Sequence, residues 1–155
     1  MNGIQLLPPG PGHWDQASRS DWADVLATFP LFSGIGKRQL RKLAGRASFA
    51  EYAPGDFVIQ KGEPGNSLHV ILAGSARVLG KPASRSLRIG DYFGELSLLD
   101  GTPRSATVIA TSELHVMKLS RQVFLSLAQD PEVALEMLRT LGSHVRRLED
   151  QPTRS

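Results

Sequence analysis

Two short stretches carry most of the chemistry this chain can offer, Gly94-Glu95-Leu96-Ser97 and Pro103-Arg104-Ser105-Ala106. Gly94 frees the backbone for positive φ or for close approach to a ligand. Leu96, Leu98 and Leu99 can anchor a single helical turn on the core, so that its start faces outward with unpaired N–H groups and the positive end of a dipole, a setting for an anion. Pro103 fixes the chain just before Arg104, whose planar fork donates two hydrogen bonds to phosphate oxygens and stays charged at any relevant pH. Glu95 would repel that phosphate and needs another task; the paired hydroxyls of a ribose suit a carboxylate acceptor. Ser105 adds a hydroxyl within reach of a base. A ribose phosphate fits all of these groups together. The plainer alternative is a surface ion pair between Glu95 and Arg104, worth about 0 to 1 kcal/mol.

The elements around these stretches must hold them in a cup. Residues 1–20 contain Pro8, Pro9, Gly10, Pro11 and Gly12 and read as a flexible arm, with Trp14 and Trp22 expected to pack at the domain edge. Two short helices follow from Asp21, with Leu40, Leu43 and Ala44 at helical spacing. The turn sequences at 51–56 and 62–66 bracket Phe57-Val-Ile-Gln. Leu68–Ala73, Ala76–Leu79, Leu87–Ile89, Ala106–Ala110 and Leu114–Leu119 then read as short strands at jelly-roll spacing. Ser120 is placed to cap a helix through Val123, Phe124 and Leu127. Beyond Pro131, the positions Ala134, Leu138, Leu141, Val145 and Leu148 form an amphipathic stripe, a face for packing on the roll or for a dimer seam. The expected fold is α+β, an antiparallel jelly-roll-like β-roll flanked by N-terminal and C-terminal helices. The expected organisation is an arm at 1–20, one domain at 21–150 and a tail at 151–155.

Composition narrows the function classes. Apolar residues make up 41% and charged residues 21%, ordinary for a soluble domain, and no run approaches the roughly 20 apolar residues of a membrane span. The 18 basic against 15 acidic residues give only +3, spread along the chain, so nucleic acid is not an expected partner. Cysteine is absent, which excludes disulfides, thiolate metal sites and cysteine nucleophiles. The start Met1-Asn-Gly-Ile-Gln has neither a signal-peptide pattern nor the Met-Gly of myristoylation, and a cytoplasmic location is the expectation.

Phe93-Gly-Glu-Leu-Ser-Leu-Leu with Pro103-Arg-Ser-Ala-Thr resembles the phosphate-binding cassette of the cyclic nucleotide-binding domain family. That family occurs in catabolite-activator-type regulators, kinase regulatory subunits and nucleotide-gated channels. Pro30-Leu-Phe, Tyr52-Ala-Pro-Gly-Asp, Gly62-Glu-Pro-Gly, Gly74 and Gly90-Asp-Tyr-Phe extend the likeness over about residues 25–149. The resemblance implies that Glu95 accepts from the ribose 2′-OH and that Arg104 pairs with the cyclic phosphate. Backbone N–H groups of Leu96, Ser97 and Ser105 would help, in a site bounded by Gly94, Pro103 and Ala106. Ser105 stands where relatives selective for cGMP often carry Thr and cAMP-binding ones Ser or Ala, which favours cAMP, although a serine hydroxyl can also accept from the guanine amino group. Val145, Arg146, Arg147 and Leu148 are the implied lid over the base. Arg146 and Arg147 also suit a solvated basic face near a helix C-terminus.

The implied protein is a stand-alone, non-enzymatic sensor without a DNA-reading domain. It would act on an unknown protein effector, with a homodimer as an open option and no cofactor beyond the cAMP or cGMP ligand. A non-binding interaction module on the same fold and a jelly-roll enzyme are the alternatives. The enzyme would need clustered metal ligands, yet His13, His69, His115 and His144 show no ligand spacing, and His69 and His115 read as satisfied or exposed strand residues. Gly34-Ile-Gly-Lys-Arg superficially suggests a phosphate loop, but Leu31 and Arg38 break the motif and leave a loop before a helix.

Overall fold

The structure, a computed structural model, describes residues 19–80, 84–94, 101–131, 133–135, 138 and 139. Among the described residues the bounded elements follow in order: α1 (Arg19–Leu26), a 3-10 turn (Pro30–Phe32), α2 (Lys37–Arg46), β1 (Ser48–Tyr52), β2 (Phe57–Ile59), β3 (Ser67–Ala73), β4 (Ala76–Leu79), β5 (Arg85–Leu87), β6 (Tyr92–Phe93), β7 (Thr107–Ala110), β8 (Leu114–Ser120) and α3 (Arg121–Leu127). Two antiparallel sheets, ordered β1-β8-β3-β6 and β2-β7-β4-β5, face one another. The α+β roll with helices on both chain ends is the architecture expected from the strand spacing.

Two cores hold the layers together. One lies between the sheets and includes Ile59, Ile71, Phe93, Val108, Leu114 and Val116. The other lies between the first sheet and the helices and includes Leu26, Phe32, Leu40, Leu43, Leu68, Leu72, Met117, Leu119 and Phe124. The first sheet is therefore covered on both faces, which is why β3 reads as the unbroken run Leu-His-Val-Ile-Leu rather than as an alternating strand. Successive side chains alternate between the cores, so Leu68 and Val70 go to the helices and Ile71 goes to the roll interior. A register shift between Ile71 and Ala73 ends that alternation.

Several boundaries differ from expectation for local reasons. Ser48–Tyr52 is an edge strand paired to β8, where only the following turn stood out in sequence. Asp56 closes that turn by accepting from the Ala53 N–H at 2.8 Å. The strand expected at 87–89 ends at Leu87, because Asp91 accepts from the Arg88 N–H at 2.9 Å and folds residues 88–91 into a turn. Ser120 caps α3 as expected, accepting from the Val123 N–H at 3.2 Å. Residues 33–36 are a turn and loop before α2, as expected of the broken phosphate-loop motif. α1 already begins at Arg19, within the expected arm. After α3 the chain is helical again at Pro131, 133–135, Leu138 and Arg139. Val133 is the residue buried there, while Leu135 and Leu138 are 51% and 60% exposed. Packing of Leu138 on the roll is thus corrected: the helix turns Val133 inward, about 140° around its axis from Leu138 at 100° per residue. Ala134 is half-buried, and Leu141, Val145 and Leu148, Trp14, the side chain of Trp22 and the tail at 151–155 lie outside the described residues.

Candidate nucleotide site

The site is built around Arg104. Its backbone is pinned from both sides, since the Gly62 N–H donates to the Arg104 carbonyl and the Arg104 N–H donates to the Glu63 carbonyl, each at 2.8 Å. The turn at 62–66 thereby joins the segment that carries the arginine. The side chain is only 6% exposed. Nη1 donates to the Ser67 carbonyl at 3.0 Å and to the Gly94 carbonyl at 3.4 Å, and Nη2 donates to Ser67 Oγ at 3.2 Å.

Sheet register explains why these acceptors meet. β6 lies antiparallel to β3 with Phe93 opposite His69, which carries the chain past Phe93 alongside the start of β3, where Ser67 sits. Two glycines make room for the guanidinium. A Cβ at Gly65 would collide with Nε and Cζ of Arg104, and one at Gly94 would lie 2.7 Å from Nη1 and 2.9 Å from the Ser67 carbonyl oxygen. Gly94 also has φ +89, which L side chains rarely adopt. Gly94→Ala is accordingly expected to destabilise the fold by about 1 to 3 kcal/mol through strain and displacement of Arg104. It should weaken ligand binding at least tenfold, which urea unfolding and calorimetric titration would check; an unchanged affinity would show that the cradle does not matter.

Burial pushes the Arg104 guanidinium below its ordinary pKa, and the nearby Glu63 carboxylate opposes that shift. Among the described residues its hydrogen-bond acceptors are neutral, and no carboxylate comes within ion-pair distance. Three of its N–H groups are engaged by these acceptors, and a guanidinium has five, so the described residues leave two donors of a fixed, desolvated cation unengaged. That arrangement attracts an anion with a planar pair of oxygens.

His69 sits beside it on β3, 2% exposed and stacked on Phe93 with ring centroids 5.0 Å apart and planes at 10°. Burial, then the charges of Arg104 and Lys118, lowers its pKa to about 3, so the imidazole is neutral at physiological pH. Its Nδ1 has no hydrogen-bond partner among the described residues. The expectation of a satisfied or exposed strand histidine fails at this position, because a strand covered on both faces leaves neither solvent nor backbone for the ring. His115 lies between Glu51 at 3.9 Å and Glu113 at 3.8 Å, a neighbourhood made by the β1–β8 pairing and invisible in residue spacing.

Of the site residues expected from sequence, Gly94 and Arg104 come together as described. Pro103 and Ser105 are exposed and Ala106 is half-buried. Glu95, Leu96 and Ser97, and the lid residues Val145, Arg146, Arg147 and Leu148, lie outside the described residues. Sequence reasoning missed Ser67 as an acceptor and gave Gly62, Glu63 and Gly65 only a turn. Their signal was the repetition of glycines in a turn already recognised, which marks close backbone approach as well as turning.

The pattern of the cyclic nucleotide-binding domain matches residues 49–130. The chain belongs to the cyclic nucleotide-binding domain family. The domain is a binding module and not a catalytic one, and the curated relatives are kinase regulatory subunits. The cAMP-dependent protein kinase regulatory subunit of Hypocrea atroviridis is 35% identical over 127 residues, covering 81% of this chain and 28% of that protein. The chain spans roughly a third or less of the curated relatives it matches. Among solved structures, the regulatory subunit of a cAMP-independent protein kinase A from Trypanosoma brucei is 28% identical with a TM-score of 0.70, covering 92% of this chain and 49% of that one. The regulatory domain of Toxoplasma gondii PKA, solved with cAMP, is 27% identical with a TM-score of 0.69, covering 81% and 50%. No described helix is long and apolar enough to cross a membrane.

Proposed function

We propose that this domain binds a cyclic nucleotide, cAMP in preference to cGMP, and works as a regulatory sensor of a protein effector in the cytoplasm. The observation that carries the reading is Arg104, a buried cation fixed by its backbone, by Ser67 and by two glycine-lined walls, with donors to spare for a phosphate. In this reading the exocyclic oxygens of the phosphate pair with Arg104. Glu95 accepts from the ribose 2′-OH, and the N–H groups of Leu96, Ser97 and Ser105 complete the cassette between Gly94, Pro103 and Ala106. The solved Toxoplasma domain with cAMP and the cAMP-dependent relatives support the choice of nucleotide, as does serine at position 105.

Signal output is assigned to the C-terminal helix. Ligand shifts a population only by contacting one arrangement better than another, and Val145, Arg146, Arg147 and Leu148 are proposed to supply that difference by closing over the base. A second reading, an interaction module or a sensor of another phosphorylated ligand, draws support from the Trypanosoma neighbour, whose kinase is cAMP-independent. Calorimetric titration with cAMP and with cGMP separates the two. Micromolar or tighter binding of cAMP is expected, together with chemical-shift changes at residues 144–149 on saturation. Heat of binding without those shifts would remove the lid and leave the cassette. No heat with either nucleotide would favour the second reading.

A further inference from the structure

α2 is an unusual helix for a surface element. Its sequence, KRQLRKLAGR, carries five cations and no acidic residue, with Leu40, Leu43 and Ala44 buried beneath. Lys37 and Arg38 stand at the positive end of the helix dipole, and the Gly36 N-cap supplies no side-chain hydrogen bond. Arg38, Lys42 and Arg46 follow at i, i+4 and i+8, all exposed, so like charges stack along one row, an arrangement that destabilises a helix. Among the described residues only Lys37 of the five meets a carboxylate, Asp24 at 3.0 Å. Arg46 instead donates to Ser126 Oγ of α3 at 2.9 Å. Apart from the Lys37–Asp24 pair and Arg46 in the last turn, the charges of α2 oppose its stability, and such conflicts concentrate where a surface serves a partner.

The basic row borders a groove. Between α2 and α3 a cleft of about 330 Å³ opens, with Lys42 and Arg46 on its wall and Leu43, Val123 and Leu127 contributing apolar surface. Among the described residues no acid lines the cleft, and Asp130, just beyond α3, accepts from Gln39 of α2 at 3.2 Å. We propose that this groove is a docking seat for an extended acidic segment of a partner protein. The spacing fits, since cations four residues apart on a helix rise about 6 Å per step and same-face side chains of an extended strand recur about every 6.6 Å. Acidic side chains at alternate positions would pair with the row, and an intervening apolar side chain would enter the cleft. A flat lipid surface leaves the cleft unfilled, and a nucleic-acid backbone brings no apolar side chain to it. The seat is distinct from the nucleotide site and does not depend on it.

The test uses the full chain and fluorescence anisotropy at low salt with a labelled peptide, GSELELEGS. Its controls are GSQLQLQGS, without charge, and GSESESEGS, without apolar side chains. Binding of the first peptide is expected to be at least about tenfold tighter than of either control and to weaken steeply with added salt. The charge reversal Arg38→Glu, Lys42→Glu and Arg46→Glu should weaken it by at least about tenfold. Arg38→Glu relieves a clash with the helix dipole whereas Arg46→Glu creates one and loses the bond to Ser126, so circular dichroism and urea unfolding check that the variant folds; Lys42→Gln alone, expected to weaken the peptide less, is a milder second variant. The proposal is overturned by absent binding, by equal binding of either control, or by an affinity that survives the charge reversal. Tighter capture by phosphatidylserine vesicles or an RNA duplex through the same three cations would also overturn it.

Discussion

Arg104→Ala is expected to weaken cAMP binding by at least about 2 kcal/mol, roughly 30-fold. The substitution removes a charge-assisted contact made from a pre-positioned group, whose orientation is fixed by Ser67 and by the backbone pairing with Gly62 and Glu63. Stability of the ligand-free protein should move less than affinity. Relief from burying a cation offsets the acceptors and the space left behind, whereas the ligand has no such compensation. Arg104→Lys should fall between, because an ammonium keeps the charge but cannot serve the Ser67 acceptors and a phosphate with one planar fork. Calorimetric titration of the three proteins, paired with thermal unfolding with and without ligand, gives both readings. Equal affinity in wild type and Arg104→Ala would refute the phosphate role of the cassette.

The second large effect concerns acid stability and His69. Its folded pKa of about 3 lies below the ordinary 6.5, so between these values the unfolded chain holds a proton that the native protein rejects. Stability from this group is complete above pH 6.5 and falls as pH drops toward 3. At about 1.36 kcal/mol per unit once the unfolded imidazole is fully protonated, and half that slope at pH 6.5, lowering the pH from 6.5 to 4.5 removes roughly 2 kcal/mol. Phenylalanine has the size of the ring, preserves the stack on Phe93 and carries no orphaned nitrogen. His69→Phe should therefore match or exceed wild type at pH 7, and its advantage should widen by about 2 to 3 kcal/mol at pH 4.5. Urea midpoints at pH 7, 5.5 and 4.5 measure this directly. Parallel pH profiles would mean that the imidazole is not held neutral in the roll.

What linear order determined here was the set of local devices. Alternation and turn residues mark the strands, Ser120 marks a helix start, and Gly94 with Arg104 marks a phosphate cradle, because each depends on neighbours within a few residues. The family resemblance also rests on such devices, repeated at several turns. Only the tertiary structure decided what surrounds them. Ser67 reaches Arg104 across 37 positions through the β3–β6 pairing and the return of the chain at 101–104, and no spacing rule predicts a carbonyl acceptor. His69 looked ordinary because a strand histidine is usually exposed on one face, and here helices cover the other side of the sheet. The cation row of α2 is legible as charge in the sequence, yet its groove exists only because α3 packs beside it. Local chemistry is written in order along the chain; burial, register and neighbourhood arise from contacts between distant segments, and those decide which polar groups are satisfied and which remain for a partner.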